Sequence, residues 1–445
     1  MANVIRSTAA KLQISPTLGI NELVLKTRAE GKNVVHLGFG EATFPIQKDV
    51  LRIYREASST TSYMPVAGTE ELRKSIADFN ADRLNVTISP NQVVVAPGSK
   101  PLLFALFDVL EGDVLLPRPS WVSYEPQVLH AGKKLFWVET DALDRHTITE
   151  AALTAAYENA ISEGADPRIM LINSPSNPTG HVFSADCIQT IKSFCKLKGI
   201  ALITDEIYSD ICFDETQKAI SAFDSKSNDS ETVILTGGLS KTYSAGGWRV
   251  GYAIFPPSPT GETIRNTILA YASECWSAAS APAQLASVKA FSTCQDMVAY
   301  RKSVTALHRY CSTRMYQTLK DLGLDIGEPR GAFYLYPSFS PYAAQLNKLG
   351  IFTSADLSTW LIRECGLAAL PGSAFGEDDT GPMFGRFRLR IATSYLYFQN
   401  EADRYQHGYA LLEACSSGHE IQLPYLEEAV YVIKEVIEKL KAIPV

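Results

Sequence analysis

Leu239-Ser-Lys241-Thr-Tyr-Ser-Ala-Gly-Gly-Trp-Arg249-Val-Gly251-Tyr lies between two apolar runs, Val233–Thr236 and Val250–Ile254. If the first run is a strand, Ser240 and Lys241 emerge just beyond its end. A lysine so placed suits Schiff-base chemistry, because burial lowers an ammonium pKa and frees the nucleophilic amine. Arg249 follows among small residues that let backbone approach an anion. Read alone, the stretch also fits a solvated glycine-rich loop. Its surroundings decide between the two.

Working outward, strand patterns fall at Val34–Leu37, Val93–Ala96, Val114–Leu116, Leu135–Val138, Ile169–Ile172 and Ala201–Thr204. Helical patterns separate them at Thr69–Leu84, Leu102–Leu110, Thr149–Ile161 and Ala185–Leu197. Apolar strands alternating with helices predict an α/β fold, a mostly parallel sheet of about seven strands between helices. Ligands of such sheets bind outside the carboxyl ends of the strands. After about Ser292 a long helical stretch, Asp296–Leu322, leads to short strands near Ala332–Tyr336 and Phe387–Ile391. That rhythm predicts a smaller α+β domain. The expected division is 46–295 for the large ligand-binding domain and 296–445 for the small one, with 1–45 joining the latter. Leu426, Val430, Ile433, Ile437 and Leu440 form a stripe of helical period, so a docked C-terminal helix is expected.

Composition narrows the function. The 445 residues are 46% hydrophobic and 20% charged, the profile of a soluble globular chain. Acidic residues outnumber basic ones, 48 against 41, with no basic run, which argues against a nucleic-acid partner. No apolar run reaches the ~20 residues of a membrane span. Eight cysteines without a CxxC pair, and seven histidines without HExxH, predict no metal site and a cytoplasmic setting with reduced thiols. Arg6 and Lys11 without nearby acids faintly resemble a presequence, but the segment reads as an ordinary N-terminus.

Two glycine motifs mislead. Gly38-Phe-Gly40 has Thr43 where a dinucleotide fingerprint needs its third glycine, and Gly237-Gly-Leu-Ser-Lys241 lacks the first glycine of a P-loop. Three others sit at predicted strand ends. Asn173-Ser-Pro-Ser-Asn177-Pro-Thr-Gly180 is a rigid turn that aims an amide at a ligand oxygen. Thr204-Asp205-Glu-Ile-Tyr208 offers a carboxylate to a protonated ring nitrogen, although Asp205 suits a helix N-cap equally well. Ala96-Pro-Gly98-Ser99-Lys100-Pro101 reads as a helix start with Ser99 as N-cap, and a helix N-terminus also binds phosphate.

Together with Lys241 and Arg249, these motifs resemble the pyridoxal-phosphate enzymes of the aspartate aminotransferase superfamily, fold type I, class I/II. The likeness runs in order from about Ser15 to Ala392. It includes Leu37-Gly-Phe-Gly40-Glu-Ala-Thr-Phe, Tyr63-Met-Pro-Val-Ala-Gly68-Thr-Glu-Glu-Leu-Arg73, Pro119-Ser-Trp121-Val-Ser-Tyr124, Gly331-Ala-Phe-Tyr334 and Arg388-Leu-Arg-Ile-Ala392. The resemblance implies an aminotransferase acting on an L-α-amino acid and a 2-oxo acid. Lys241 would hold the cofactor as an internal aldimine and shuttle the proton between Cα and C4′. Asp205 would pair with the pyridinium nitrogen, Tyr208 and Asn177 would bond the phenolic oxygen, and Trp121 would stack on the ring. Backbone around Gly98, Ser99 and Lys100 and the Arg249 side chain would hold the phosphate, with Tyr63 reaching in from a neighbouring subunit of a homodimer with shared sites, and Ser240 would also bind the cofactor. Arg388 would grip the substrate α-carboxylate, supported by Asn177 and the Gly40 amide. Arg386 and Arg390 are its neighbours on one strand face, so the division of labour among the three stays open.

The chain departs from the family in three places. Gly238 replaces a phosphate-binding serine, Ala42-Thr43 replaces proline–aspartate, and the 29 residues Tyr395–Leu423 have no counterpart. That stretch reads as a peripheral helical insertion or as a specificity element near Arg388. An elimination or cyclisation enzyme built on the same site is the alternative to transamination. An inactive regulator is disfavoured by the full set of site residues.

Overall fold

Along Val93–Ala96, Val93 and Val95 pack into one apolar cluster, whereas Val94 and Ala96 pack into another. Leu115, Met170, Ile172, Leu202, Val233 and Leu235 join the first cluster; Val114, Leu116, Ile169, Leu171, Ile203 and Ile234 join the second. Side chains of a strand alternate between faces, so this split means a sheet buried on both sides. That burial is why its strands read as continuous apolar runs.

The computed structural model describes residues 4–12, 14–141, 146–214, 220–224, 231–379, 387–398 and 400–444. The strands are β1 (Val35–His36), β2 (Val93–Ala96), β3 (Asp113–Arg118), β4 (Leu135–Glu139), β5 (Pro167–Asn173) and β6 (Ala201–Asp205). They continue with β7 (Val233–Gly238), β8 (Gly251–Ile254), β9 (Tyr334–Leu335), β10 (Leu367–Ala368), β11 (Leu370–Pro371) and β12 (Leu389–Ala392). Seven of them form one sheet in the order β2-β8-β7-β6-β5-β3-β4. All its pairings are parallel except the two made by β8. The connection from β7 to β8 contains no crossover helix, so β8 returns antiparallel.

β1 does not join this sheet, contrary to the run of alternation expected from Val34 onward. It pairs in parallel with β10, Val35 opposite Leu367. Nearby, β11, β12 and β9 form an antiparallel sheet.

Helix boundaries follow local chemistry. Thr69 caps Glu70–Leu84 by accepting from Leu72 N at 3.3 Å, and Ser184 caps Ala185–Lys198, which ends at left-handed Gly199. Ser99 is not the cap expected of it. It is the first residue of Ser99–Val109, and Gly98 at φ +95° takes the cap position. The long helix spans Gln295–Asp321, and the C-terminal helix Pro424–Lys441 buries the expected stripe. Within 395–423 lies a further helix, Glu401–Ser417.

Candidate active site

The carboxyl ends of β5, β6 and β7 meet at a cleft of about 450 Å³. Sheet register sets Asn173 opposite Asp205, and Asn173 Nδ2 donates to the Asp205 carbonyl at 2.8 Å. No helix follows Asp205, so it is not an N-cap. Its carboxylate accepts from Tyr124 OH at 2.8 Å and from Thr236 Oγ1 at 3.3 Å. Burial pushes its pKa up to about 6, against the opposing pull of those bonds. Among the described residues no cation pairs with it.

Lys241 stands just past β7, and its Nζ donates to Gly40 O at 2.5 Å. Burial, then the nearby Arg390 guanidinium, lowers its pKa to about 8, so neutral amine is within easy reach. Tyr208 OH shares a hydrogen bond with Tyr334 OH at 2.8 Å, and burial raises its pKa. Asn177 is fixed by Asn173 Oδ1, which accepts from its backbone N–H at 2.8 Å.

At the opposite end, Arg249 adopts φ +57° and donates to Gly246 O at 2.8 Å and Pro97 O at 3.2 Å. Gly98 has φ +95°, which favours glycine, and a Cβ there would fall 2.1 Å from Arg249 Nη2. A Cβ on Gly238 would fall 2.7 Å from Val250 O, which explains why no serine stands there. Ser99, Lys100, Trp121 and Ser240 line the same cleft. Lys100 Nζ lies 4.9 Å from the Trp121 ring centre, and burial, then Arg249, lowers its pKa.

The structure brings together Lys241, Asp205, Tyr208, Asn177, Ser99, Lys100, Trp121, Ser240, Arg249 and Gly40. Gly98 stands behind Arg249. Tyr63 is 94% exposed and away from the cleft of its own chain.

One expectation needs correction. Arg390, not Arg388, enters the cleft: its Nη1 donates to Asn177 Oδ1 at 3.1 Å and its Nη2 to Gly38 O at 2.7 Å. Arg388 is buried elsewhere, 3.9 Å from Glu377 Oε1 and 5.8 Å from the Tyr336 ring centre. Two residues along a strand share a face but stand roughly 7 Å apart, enough to separate cleft from core. Arg386 lies outside the described residues.

The Pro119–Tyr124 motif gives no sign of the role of Tyr124, whose hydroxyl holds Asp205. Ser15 and Thr17 also line the cleft, and no local pattern marked them.

A buried amine, a buried carboxylate facing hydroxyls, and a guanidinium beside a helix start suit an α/β enzyme of Schiff-base chemistry. Comparison with known proteins agrees. Residues 32–395 match the model of the family described as aminotransferase class I and II. A probable aspartate/prephenate aminotransferase of Aquifex aeolicus is 32% identical over 402 residues, covering 88% of this chain and 95% of that one. An aspartate aminotransferase of Geobacillus stearothermophilus is 32% identical over 400 residues, with 89% and 96% covered. In solved structures, the Rhizobium meliloti aspartate aminotransferase matches at TM-score 0.74 and 26% identity over 92% of this chain and 98% of that one. The Thermus thermophilus enzyme with maleate shares the fold at TM-score 0.76 and 24% identity, with 93% and 99% covered. The chain belongs to the class I and II aminotransferases, and is a pyridoxal-phosphate-dependent transferase of amino acids and oxo acids.

The residues fit that cofactor. Asp205 is a buried carboxylate with no ion pair among the described residues, which leaves it available to a pyridinium nitrogen. Arg249 and the start of Ser99–Val109 supply positive charge and amides for a phosphate.

Proposed function

We propose that the preferred substrates are dicarboxylic, L-aspartate with 2-oxoglutarate as acceptor. The supporting observation is that the cleft holds two cations, Arg390 and Lys100, besides Lys241 and Arg249. Arg390 is anchored by Asn177 and Gly38, and Lys100 has no ion pair among the described residues. The names of the two relatives at 32% identity support the same substrate.

When bound, pyridoxal phosphate supplies the electron sink that stabilises negative charge at the substrate Cα. The chain does the rest. Arg390 holds the α-carboxylate through its planar fork, and Lys100 holds the side-chain carboxylate. Lys241 Nζ links the cofactor and then holds the proton removed from Cα between the two halves of the transfer. Asp205, fixed by Tyr124 and Thr236, keeps a proton on the ring nitrogen. Tyr208 and Asn177 bond the ring's phenolic oxygen. Arg249, Ser99 and Ser240 bind the phosphate, and Trp121 covers the ring.

The working form is a homodimer in which the partner subunit's Tyr63 reaches that phosphate; the full exposure of Tyr63 in one chain supports this. None of the eight cysteines forms a disulfide among the described residues, which supports a cytoplasmic enzyme.

A panel of amino acids with 2-oxoglutarate tests the reading. Aspartate should give the highest kcat/KM, with stoichiometric glutamate. Release of pyruvate or ammonia without glutamate would overturn transamination, and a preference for neutral amino acids would overturn the substrate class.

A further inference from the structure

The stretch 395–423 leans on two short segments beside the cleft. Its helix Glu401–Ser417 packs so closely on Pro45 that a Cβ at Gly408 would fall 2.5 Å from Pro45 Cδ. Tyr409 OH donates to Ile46 O at 2.8 Å. Two more ties run toward the lysine. Tyr395 OH donates to Glu41 Oε2 at 2.7 Å, and Arg404 Nη2 donates to Ser244 Oγ at 2.9 Å and Ser244 O at 3.3 Å.

Ser244 is an unusual anchor. It lies three residues after Lys241 at φ +52°, a conformation that side-chain-bearing residues keep only where their surroundings hold them. Its own Oγ donates to Ala42 O at 2.6 Å. Lys241 Nζ meanwhile donates to Gly40 O. Segments 40–42 and 241–244 are therefore tied to each other twice, once through the lysine and once through the strained serine. Each is also tied outward to the 395–423 stretch. Arg404 has no carboxylate within ion-pairing distance among the described residues, so its directed bonds go to Ser244.

We propose that Arg404, helped by Tyr395, is a positioning residue for Lys241. It holds the left-handed turn at Ser244 and so fixes Lys241 Nζ against Gly40 at the cleft wall. The proposal rests on Lys241 being the cofactor-linking amine. It gives the stretch without family counterpart a task at the reacting lysine, although Arg404 itself does not line the main cleft.

The test uses the full chain with Arg404→Ala, Arg404→Lys, Tyr395→Phe and Ser244→Gly. The first readout is amide exchange of residues 240–249 in cofactor-free protein. The second is the pH titration of the cofactor's visible band in loaded enzyme. Lys241 faces Arg390, Glu41, Lys100 and Asp205, and only the Tyr395 variant touches one of these, through Glu41.

Arg404→Ala should speed exchange and lower kcat by about tenfold, the loss of a bond to a charged group, with KM little changed. The titration midpoint should move by about half a pH unit. Arg404→Lys, which keeps charge but not the two-acceptor reach, should fall between. Ser244→Gly removes the Oγ bond to Ala42 O and one acceptor of Arg404, so it should also speed exchange of residues 240–249. Unchanged exchange and midpoint in Arg404→Ala would overturn the proposal; if that variant does not fold, the same result in Arg404→Lys overturns it. A visible band that survives Lys241→Ala would instead overturn the identity of the linking lysine, leaving the exchange result standing.

Discussion

The seven-stranded sheet and the small antiparallel sheet both deliver charged groups to the cleft, but by different rules. In the large sheet function sits at strand ends: Asn173 and Asp205 close β5 and β6 side by side, and Lys241 follows β7. An end is a single place, and apolar runs mark it in sequence. In the small sheet Arg388 and Arg390 lie at and within β12, and what matters is how far along it each stands. A charge in mid-strand is placed by pairing with β9 and β11, which no local pattern reveals.

The largest expected effect tests the strand-end rule. Lys241→Ala should lower turnover by more than about a thousandfold, the scale of losing a covalent nucleophile, and abolish the visible cofactor band. Next, the mid-strand correction can be broken directly. Arg390→Lys should cut kcat/KM for aspartate by roughly a hundredfold, since lysine cannot copy a bidentate carboxylate pair, while Arg388→Lys should stay within about tenfold. The reverse order would restore Arg388 to the substrate.

A smaller effect sharpens the role of Tyr124. Tyr124→Phe removes one donor to the Asp205 carboxylate and should lower cofactor affinity by about tenfold, measured by equilibrium dialysis.

The smallest concerns cofactor-free protein, where charge on Lys241 opposes folding. Its pKa falls from 10.5 unfolded to about 8 folded. Between these values the unfolded chain binds more protons, so the contribution of Lys241 to stability rises with pH from about 8 to 10.5. Below 8 both states are charged and the full penalty stands. Thermal melts should therefore show Lys241→Met more stable than the parent near pH 7, with the gap closing by pH 10. A constant gap would mean that the amine is not desolvated.

The same contrast explains what sequence could show. Predicted strands of the large sheet lie within about two residues of the observed ones, because burial on both faces writes an apolar run. Val34–Leu37 looked identical yet pairs with β10, since a run records burial and not partners. The cofactor residues were visible as motifs at strand ends. Arg390 was named only as a neighbour, and Ser15 and Thr17 were not visible at all, being brought to the cleft by long-range packing. Ser99 reads as a cap because serine is a preferred cap residue; Gly98, at φ +95°, takes that position instead.

Among the described residues β2 is an edge strand whose only sheet neighbour is β8, Val93 opposite Ile254. During synthesis, therefore, β2 waits unpaired until β8 has been made. The corner that joins Gly98, Ser99 and Arg249 closes with that same step. Assembly of the phosphate-binding corner and completion of the sheet are one late, long-range event, and a chain stopped short of Ile254 should have neither.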